Sequence, residues 1–171
     1  LPFLIASPVL FIAGAAVAGP FTDIPGFAQD RKVRHASIGA AGQALSDIRA
    51  FSSHPAFTLV AVSDVDLGRT EQVKKLFPDV RVYQDWRELL KKESGRLDSV
   101  NVSTPDHMHA LQAMEAMRAG KHVYVQKPLT RTVSEARALT EAARKYKVVT
   151  QMGNQGHSEE GLRLMQEWVA A

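Results

Sequence analysis

Residues 33–44 read VRHASIGAAGQA: a short run of strand length, a Gly/Ala-rich turn, and the start of a helix-forming segment. This order predicts the first βα unit of a parallel sheet, with a ligand-binding turn between strand and helix. Against the G-x-G-x-x-G pattern of dinucleotide-binding turns, Gly39 holds the first position, and Ala41 and Ala44 hold the second and third. Alanine is small enough for both places, because the backbone must approach pyrophosphate at the second and the helix must pack on the strand at the third.

Gly42 and Gln43 complete the predicted phosphate-binding turn. Gly42 adds a second conformationally permissive position, and Gln43 lies in the first turn of the helix predicted from Gly42, whose N-terminus would face the phosphates. A Gly/Ala-rich turn between strand and helix also occurs where close packing is the only requirement. The turn by itself leaves both a dinucleotide site and a purely structural turn open.

The rest of the chain alternates β-like runs with segments of helical periodicity and contains no internal repeat. Strands are predicted at Val33–Ile38, Thr58–Ser63, Val80–Tyr83, Ser99–Val102, His122–Val125 and Val148–Met152. Helices are predicted at Gly42–Phe51, Arg69–Phe77, Trp86–Lys92, His107–Ala119, Val133–Tyr146 and Glu159–Val169. Several strands are nearly continuously apolar, which indicates burial on both faces. Right-handed crossovers between six such strands predict a doubly wound α/β sheet of order 3-2-1-4-5-6, the Rossmann architecture.

The helix after the fourth strand has the clearest periodicity. Ala110, Ala113, Met114 and Met117 recur at the spacing of one helix face and are predicted to face the core. Gly120 follows at the position of a C-terminal cap glycine. This stripe predicts core packing and no cofactor contact.

An acid follows the second predicted strand, where Asp64 comes directly after Val60–Ser63. In dinucleotide sites an acid about 20 residues beyond the glycine turn accepts hydrogen bonds from the ribose hydroxyls. Its carboxylate would repel the 2′-phosphate of NADP, so the sequence predicts NAD as the cofactor. The alternative is that Asp64 only caps the following helix.

Polar segments follow the fourth and fifth strands, on either side of the predicted cleft. They read STPDHMH at residues 103–109 and QKPLT at residues 126–130. A lysine at this edge of the sheet can exchange a proton with a reacting hydroxyl, although a single lysine after a strand is more often an exposed surface residue.

The pattern of strand followed by Thr-Pro-x-x-x-His, and of strand followed by Gln-Lys-Pro where Glu-Lys-Pro is usual, resembles the glucose-fructose oxidoreductase/inositol dehydrogenase (Gfo/Idh/MocA) family. The resemblance runs from about Lys32 to the end, and the tail Gln151–Ser158 is similar to an exported, sugar-directed subgroup. It implies a two-domain enzyme that passes a hydride between NAD and a hydroxyl-bearing carbon of a sugar, polyol or sugar derivative. It also implies that Lys127 is the catalytic acid–base group. The turn, the acid and the resemblance together give these expected cofactor contacts: Gly39, Ala41, Gly42, Gln43, Ala44, Asp64, Ser103, Thr104, Pro105, His107, His109, Gln126 and Asn154.

The chain departs from the family pattern in three places. Gln126 replaces the usual Glu and removes a carboxylate that would pair with ribose or tune Lys127, and Ala41 replaces a glycine. The chain also stops after the helix that in the family leads into a second domain. That domain would supply most of the substrate pocket and the usual homo-oligomer interface. The 171-residue chain is therefore expected to bind cofactor without turning over substrate.

The histidines allow several interpretations. His107 stands at a helix start and suits a solvated or capping role as well as a cofactor contact, whereas His109 matches the family position better. His157, in the last loop, could reach substrate. Because the His-x-His spacing beside Asp106 lacks a further ligand set, no metal site is predicted.

The composition excludes several other classes of protein. The sequence is 45% hydrophobic and 23% charged, with a formal charge of +3 and no cysteine. It therefore has no disulfide, thiolate metal site or cysteine nucleophile. The small positive excess forms no Lys/Arg block, so nucleic acid is not an expected partner.

Residues 1–30 differ from the rest, because no charged residue occurs before Asp23 and Leu1–Ala18 is strongly apolar. Ala16-Val17-Ala18 has the small-x-small pattern of a signal-peptidase site, which predicts an exported, periplasmic or extracellular protein, although no basic n-region precedes it. Prolines interrupt the segment, so no stable membrane span is predicted. A buried arm on a partner subunit is the alternative.

Two other functions remain open at the level of sequence. Related folds include NAD-dependent glycoside hydrolases, in which transient oxidation of a sugar carbon enables elimination and the cofactor returns unchanged. A non-catalytic dinucleotide-binding module is the third interpretation. The expected division of the chain is an N-terminal segment at residues 1–30 and an NAD-binding domain at residues 31–171.

Overall fold

The computed structural model describes residues 32–170, and the predicted export segment lies outside the described residues. The strands are β1 (Val33–Ile38), β2 (Phe57–Ser63), β3 (Arg81–Tyr83), β4 (Ser99–Val102), β5 (His122–Gln126) and β6 (Thr150–Gly153). They form one parallel sheet of order β3-β2-β1-β4-β5-β6. The predicted α/β class and strand order are confirmed. The switch between β1 and β4 therefore opens a crevice at the carboxyl edge of the sheet.

Six α-helices connect or follow the strands between residues 32 and 170. They are α1 (Gln43–Ser52), α2 (Glu71–Leu76), α3 (Trp86–Glu93), α4 (His109–Arg118), α5 (Val133–Tyr146) and α6 (Glu160–Ala170). A capping box between Thr132 and Glu135 starts α5, and Lys147 ends it in the left-handed conformation. Val148 then donates its amide to Ala143 O, which makes β6 begin two residues later than predicted. No helix among residues 32–170 is long and apolar enough to cross a membrane.

The buried face of helix α4 overlaps the predicted stripe but extends beyond it. Ala113 and Met117 are buried as expected, but Ala110 and Met114 are only half-buried. The fully covered side of the helix also carries His109 and Gln112. These two polar residues make hydrogen bonds inside the fold, and the hydrophobic pattern does not register such residues as buried. Gly120 has a positive φ of 71°, as predicted for the end of this helix.

The central strands have one apolar and one polar face, although both are covered. Alternate residues of β1, β4 and β5 enter an apolar cluster with α3, α4 and α5; the strand members are Ala36, Ile38, Val100, Val102, Val123 and Val125. The other face carries His35, Ser37, Asn101, Tyr124 and Gln126, towards α1. The expectation of burial on both faces is confirmed, but that of continuous apolarity is wrong. Side chains alternate along a strand, and the covered polar positions find partners within the fold.

His35 shows how the polar face is accommodated. Its Nδ1 lies 2.7 Å from Ser99 Oγ and its Nε2 lies 2.9 Å from Asn101 Oδ1. Phe51 and Phe57 pack against the ring with centroid separations of 5.4 and 5.2 Å. Burial lowers the pKa of His35 to about 4, against a partial opposing effect of the hydrogen bond to Asn101. The folded protein therefore holds this imidazole neutral near pH 7.

Folding should weaken with acid because of His35. The unfolded chain binds a proton at this histidine near its usual pKa of about 6.5, and the folded chain binds it only near pKa 4. The free energy of unfolding should therefore fall by about 3 kcal/mol as the pH drops through this window. Urea unfolding across this range measures the slope. His35→Gln should reduce the dependence of the unfolding free energy on pH, whereas His157→Gln, at an exposed histidine, should leave it unchanged. Equal pH dependence in the unmodified protein and in both variants would contradict the role of His35.

Candidate functional site

The glycine turn leaves no room for a side chain at its first position. Gly39 has φ 108°, and a Cβ there would lie 2.3 Å from Ser103 O and 3.1 Å from the Ala44 Cβ. Its amide donates to Ser63 O at 2.8 Å. Ala44 is fully buried, so the small residue at the third position serves close helix–strand packing as predicted. The turn thus lies between the carboxyl ends of β2 and β4.

Gly42 leaves the start of α1 open to a ligand. It occupies the N-cap with φ 57°, and no side chain caps the helix. A Cβ at Gly42 would meet nothing within 4 Å, so the backbone here is unobstructed. Amide groups in the first helical turn have no partner within the helix and attract anions. This geometry fits the pyrophosphate of a dinucleotide.

Asp64 lies against the glycine turn. Its Oδ2 accepts a hydrogen bond from the Ala40 amide at 3.1 Å, and its Oδ1 accepts from the Asp66 amide at 3.1 Å. The cap of the following 3₁₀ turn is Asp66, which accepts from Gly68, so the helix-capping alternative for Asp64 is wrong. Asp64 is therefore positioned beside the predicted phosphate-binding turn.

A cation beside Asp64 was not anticipated from the sequence. Arg69 Nε lies 3.8 Å from Asp64 Oδ2, and the arginine side chain is about half exposed, at 56%. An arginine in this part of a dinucleotide site can pair with a 2′-phosphate, whereas the acid opposes one. The charge of Arg69 therefore favours a 2′-phosphate at this position, and the charge of Asp64 disfavours it.

The segments after β4 and β5 are joined by His109. This side chain is buried, with Nδ1 2.7 Å from Pro128 O and Nε2 2.9 Å from Thr104 O. Thr104 also donates its hydroxyl to Gln112 Oε1 at 2.6 Å. Because both ring nitrogens face protein carbonyls, the position of His109 favours holding the two loops together, and its contact with cofactor stays a prediction.

The exposed predicted residues lie at the same edge of the sheet. Lys127 directly follows β5, and Asn154 directly follows β6. Both are exposed, as are Pro105, His107 and His157. These side chains are accessible to a ligand, and their individual roles stay predictions. Among residues 32–170 there is no group of three or more His, Asp or Glu that could hold a metal ion.

Asp47 contacts several of these loops, and it was not predicted from the sequence as a site residue. Its side chain lies on α1, and the residue is 4% exposed. The Oδ atoms accept from Gln126 Nε2 at 3.0 Å, from Ser103 Oγ at 2.7 Å and from Gln43 Nε2 at 2.9 Å. Gln155 Nε2 lies at 3.4 Å. Three of these four donors come from the carboxyl edge of the sheet, at the ends of β4, β5 and β6.

Asp47 also explains where two predicted cofactor contacts point. Gln43 and Gln126 both direct their amides at its carboxylate. A signal was present in the sequence, because Asp47 shares the helix face of Ala44, Ile48 and Phe51, where an apolar residue is expected. Burial, and secondarily the charge of Asp47, raise the pKa of Tyr124 to about 12.

Comparison with known proteins agrees with this geometry. Residues 33–154 match the model of the Gfo/Idh/MocA family, described as an oxidoreductase family with an NAD-binding Rossmann fold. The scyllo-inositol 2-dehydrogenase (NADP(+)) IolW of Bacillus subtilis is 37% identical over 82 residues, which is 48% of this chain and 22% of that protein. The alpha-N-acetylgalactosaminidase of Shewanella oneidensis is 32% identical over 143 residues, which is 78% of this chain and 31% of that protein.

A solved structure shows the same fold. The WlbA dehydrogenase of Bordetella pertussis, crystallised with NADH and UDP-GlcNAcA, superposes with a TM-score of 0.73 at 22% identity. The match covers 82% of this chain and 40% of that one. This chain thus spans less than a third of the length of the two curated relatives. The chain belongs to the Gfo/Idh/MocA oxidoreductase family, and its residues 33–154 form the NAD-binding Rossmann fold of that family.

Proposed function

We propose that the complete protein is an NAD-dependent oxidoreductase that transfers a hydride to or from a hydroxyl-bearing carbon of a sugar, polyol or sugar derivative. The observation that carries the proposal is Lys127, an exposed amine at the switch-point edge whose backbone is fixed by its neighbours. The domain division at residues 1–30 and 31–171, and a second domain that completes the substrate pocket and a homo-oligomer interface, belong to the same proposal.

The residues of the crevice fit the cofactor. At Gly39 and Gly42 the backbone would be accessible to the pyrophosphate. Asp64 lies beside this turn, where its carboxylate would accept hydrogen bonds from the ribose hydroxyls. Thr104 and Pro105, which follow β4, and Asn154, which follows β6, would contact the nicotinamide end of the cofactor. NAD, when bound, accepts the hydride in the oxidation direction and supplies it in reduction.

Lys127 would accept or donate the proton that is transferred together with this hydride. In the oxidation direction, the substrate hydroxyl gives its proton to the lysine amine as the C–H bond breaks and the C=O bond forms. In reduction the ammonium returns the proton to the oxygen. A fixed backbone at Lys127 limits the positions that its amine can occupy. The amine is then more often next to the reacting hydroxyl, and this orientation raises the rate.

A second candidate function rests on the Shewanella oneidensis relative, whose similarity extends over 143 residues of this chain. An NAD-dependent glycosidase would oxidise a sugar carbon, eliminate the leaving group as an alcohol, add water to the resulting double bond and return the hydride to the oxidised carbon. The same lysine and crevice would serve that reaction. Following NADH by absorbance with a free sugar and with an aryl glycoside separates the two, since only the dehydrogenase accumulates NADH.

The chain should bind NAD more tightly than NADP by at least about tenfold, because Asp64, which lies beside the glycine turn, would face the 2′-position of the ribose. Calorimetric titration with both cofactors measures the ratio. Asp64→Asn should narrow it, and Arg69→Ala should weaken NADP binding while leaving NAD binding nearly unchanged. Exposed Asp79→Asn is the matched control and should keep the ratio. Equal affinities in the unmodified chain would exclude the ribose role of Asp64.

In the complete protein, Lys127→Met should lower kcat by about two to four orders of magnitude, because a positioned acid–base group is lost. NAD affinity should change little, since the phosphates and ribose are held elsewhere. Steady-state kinetics and cofactor titration measure the two effects. The control is Lys75→Met, which removes an exposed lysine of α2. Full activity of the Lys127 variant would contradict the proposed role.

Export is proposed from the sequence of Leu1–Ala18. The pattern Ala16-Val17-Ala18 gives a cleavage point, so the mature protein should begin near Gly19. Amino-terminal sequencing of the protein from its native host checks this. A cytoplasmic protein that retained the apolar segment would favour the buried-arm alternative.

A further inference from the structure

Within the described part of the chain, the buried carboxylate of Asp47 has only neutral hydrogen-bond donors. Among residues 32–170 its donors are three glutamine amides and the hydroxyl of Ser103, and it takes part in no ion pair. A buried charge without a counter-ion is costly, so these donors must stay in place while the protein is folded. The loops that carry them are thereby tied to α1.

Gln126 links the carboxylate of Asp47 to the backbone of Lys127 through two sets of hydrogen bonds. Its Nε2 donates to both Asp47 oxygens at 3.0 Å, and its Oε1 accepts the Lys127 amide proton at 3.1 Å. Turning the Gln126 amide over would place the oxygen against the carboxylate and the NH₂ against the Lys127 amide. Because both contacts would then be repulsive, the charge of Asp47 selects one orientation of Gln126.

We propose that Asp47 is a positioning residue that acts through Gln126 to fix the backbone of Lys127, and that these two positions are chemically matched as one acid and one amide. The role in catalysis rests on the proposed function of Lys127, whereas the matching of Asp47 with Gln126 does not. A carboxylate at position 126 would face that of Asp47 at about 3 Å, where two negative charges repel strongly.

The proposal is tested with a swap. The full chain is prepared as Asp47→Asn, as Gln126→Glu and as the double variant, with the matched exposed changes Asp79→Asn and Gln72→Glu as controls. In the double variant, the amide introduced at position 47 can turn its NH₂ to the carboxylate introduced at position 126 and its oxygen to Ser103. That carboxylate can still accept the Lys127 amide proton. The double variant should therefore recover what each single variant loses.

The first measurement is hydrogen exchange of the Lys127 amide by NMR. In Asp47→Asn, Gln126 is free to turn over, so exchange at Lys127 should accelerate by about tenfold or more, and the double variant should return it towards the unmodified rate. In Gln126→Glu, the free energy of unfolding should fall as the pH rises from about 5 to about 8, because the second carboxylate ionises. The double variant and both controls should lack that added slope.

The second measurement is kcat in the complete protein. Asp47→Asn should lower kcat by about tenfold with a smaller change in the KM for NAD, and the double variant should recover most of it. Unchanged Lys127 exchange in Asp47→Asn, or a double variant no better than the worse single one, would overturn the matched pair; if Gln126→Glu does not fold, the Asp47→Asn exchange rate decides. Should Lys127→Met stay active while the exchange and swap results hold, only the proposed catalytic role would fail.

Discussion

A carboxylate in the protein interior sets the main constraint on this fold. Asp47 must receive hydrogen bonds wherever the chain places it, because burial removes the water that would otherwise solvate it. Ser103, Gln126 and Gln155 supply those bonds from the ends of three different strands. The carboxyl edge of the sheet, where a Rossmann domain binds its ligand, is therefore held together by polar contacts on the α1 side in addition to the hydrophobic core on the other side.

This constraint accounts for the unequal faces of the sheet. On the side of α4 and α5, the valines of β4 and β5 pack as an ordinary apolar core. On the side of α1, a chain of hydrogen bonds runs from His35 through Asn101 to Ser103 and then to Asp47. Each buried polar group on this path has a partner, so the network can be accommodated in the interior and also specifies the register of neighbouring strands.

Local features of the sequence were enough to predict the sheet order, the tight turn at Gly39 and the placement of Asp64 beside it. Each follows from the order of residue types along the chain, such as a glycine directly after β1 and an acid directly after β2. Asp47 could not be predicted in the same way, because Gln126 lies 79 residues away along the chain. Hydrophobic periodicity also treats polar residues as exposed, so it did not predict the burial of His109 and Gln112 on α4 or of the polar residues on the α1 side of the sheet.

The loop after β5 is held from two sides by unrelated contacts. On the inner side, Gln126 accepts the amide proton of Lys127 and is itself held by Asp47. Immediately after the lysine, Pro128 O lies 2.7 Å from the buried ring of His109, which also contacts Thr104. The residues before and after Lys127 are thus both anchored, while its side chain remains exposed. A reacting group needs a fixed backbone and an accessible side chain, and the polar network provides the first without burying the second.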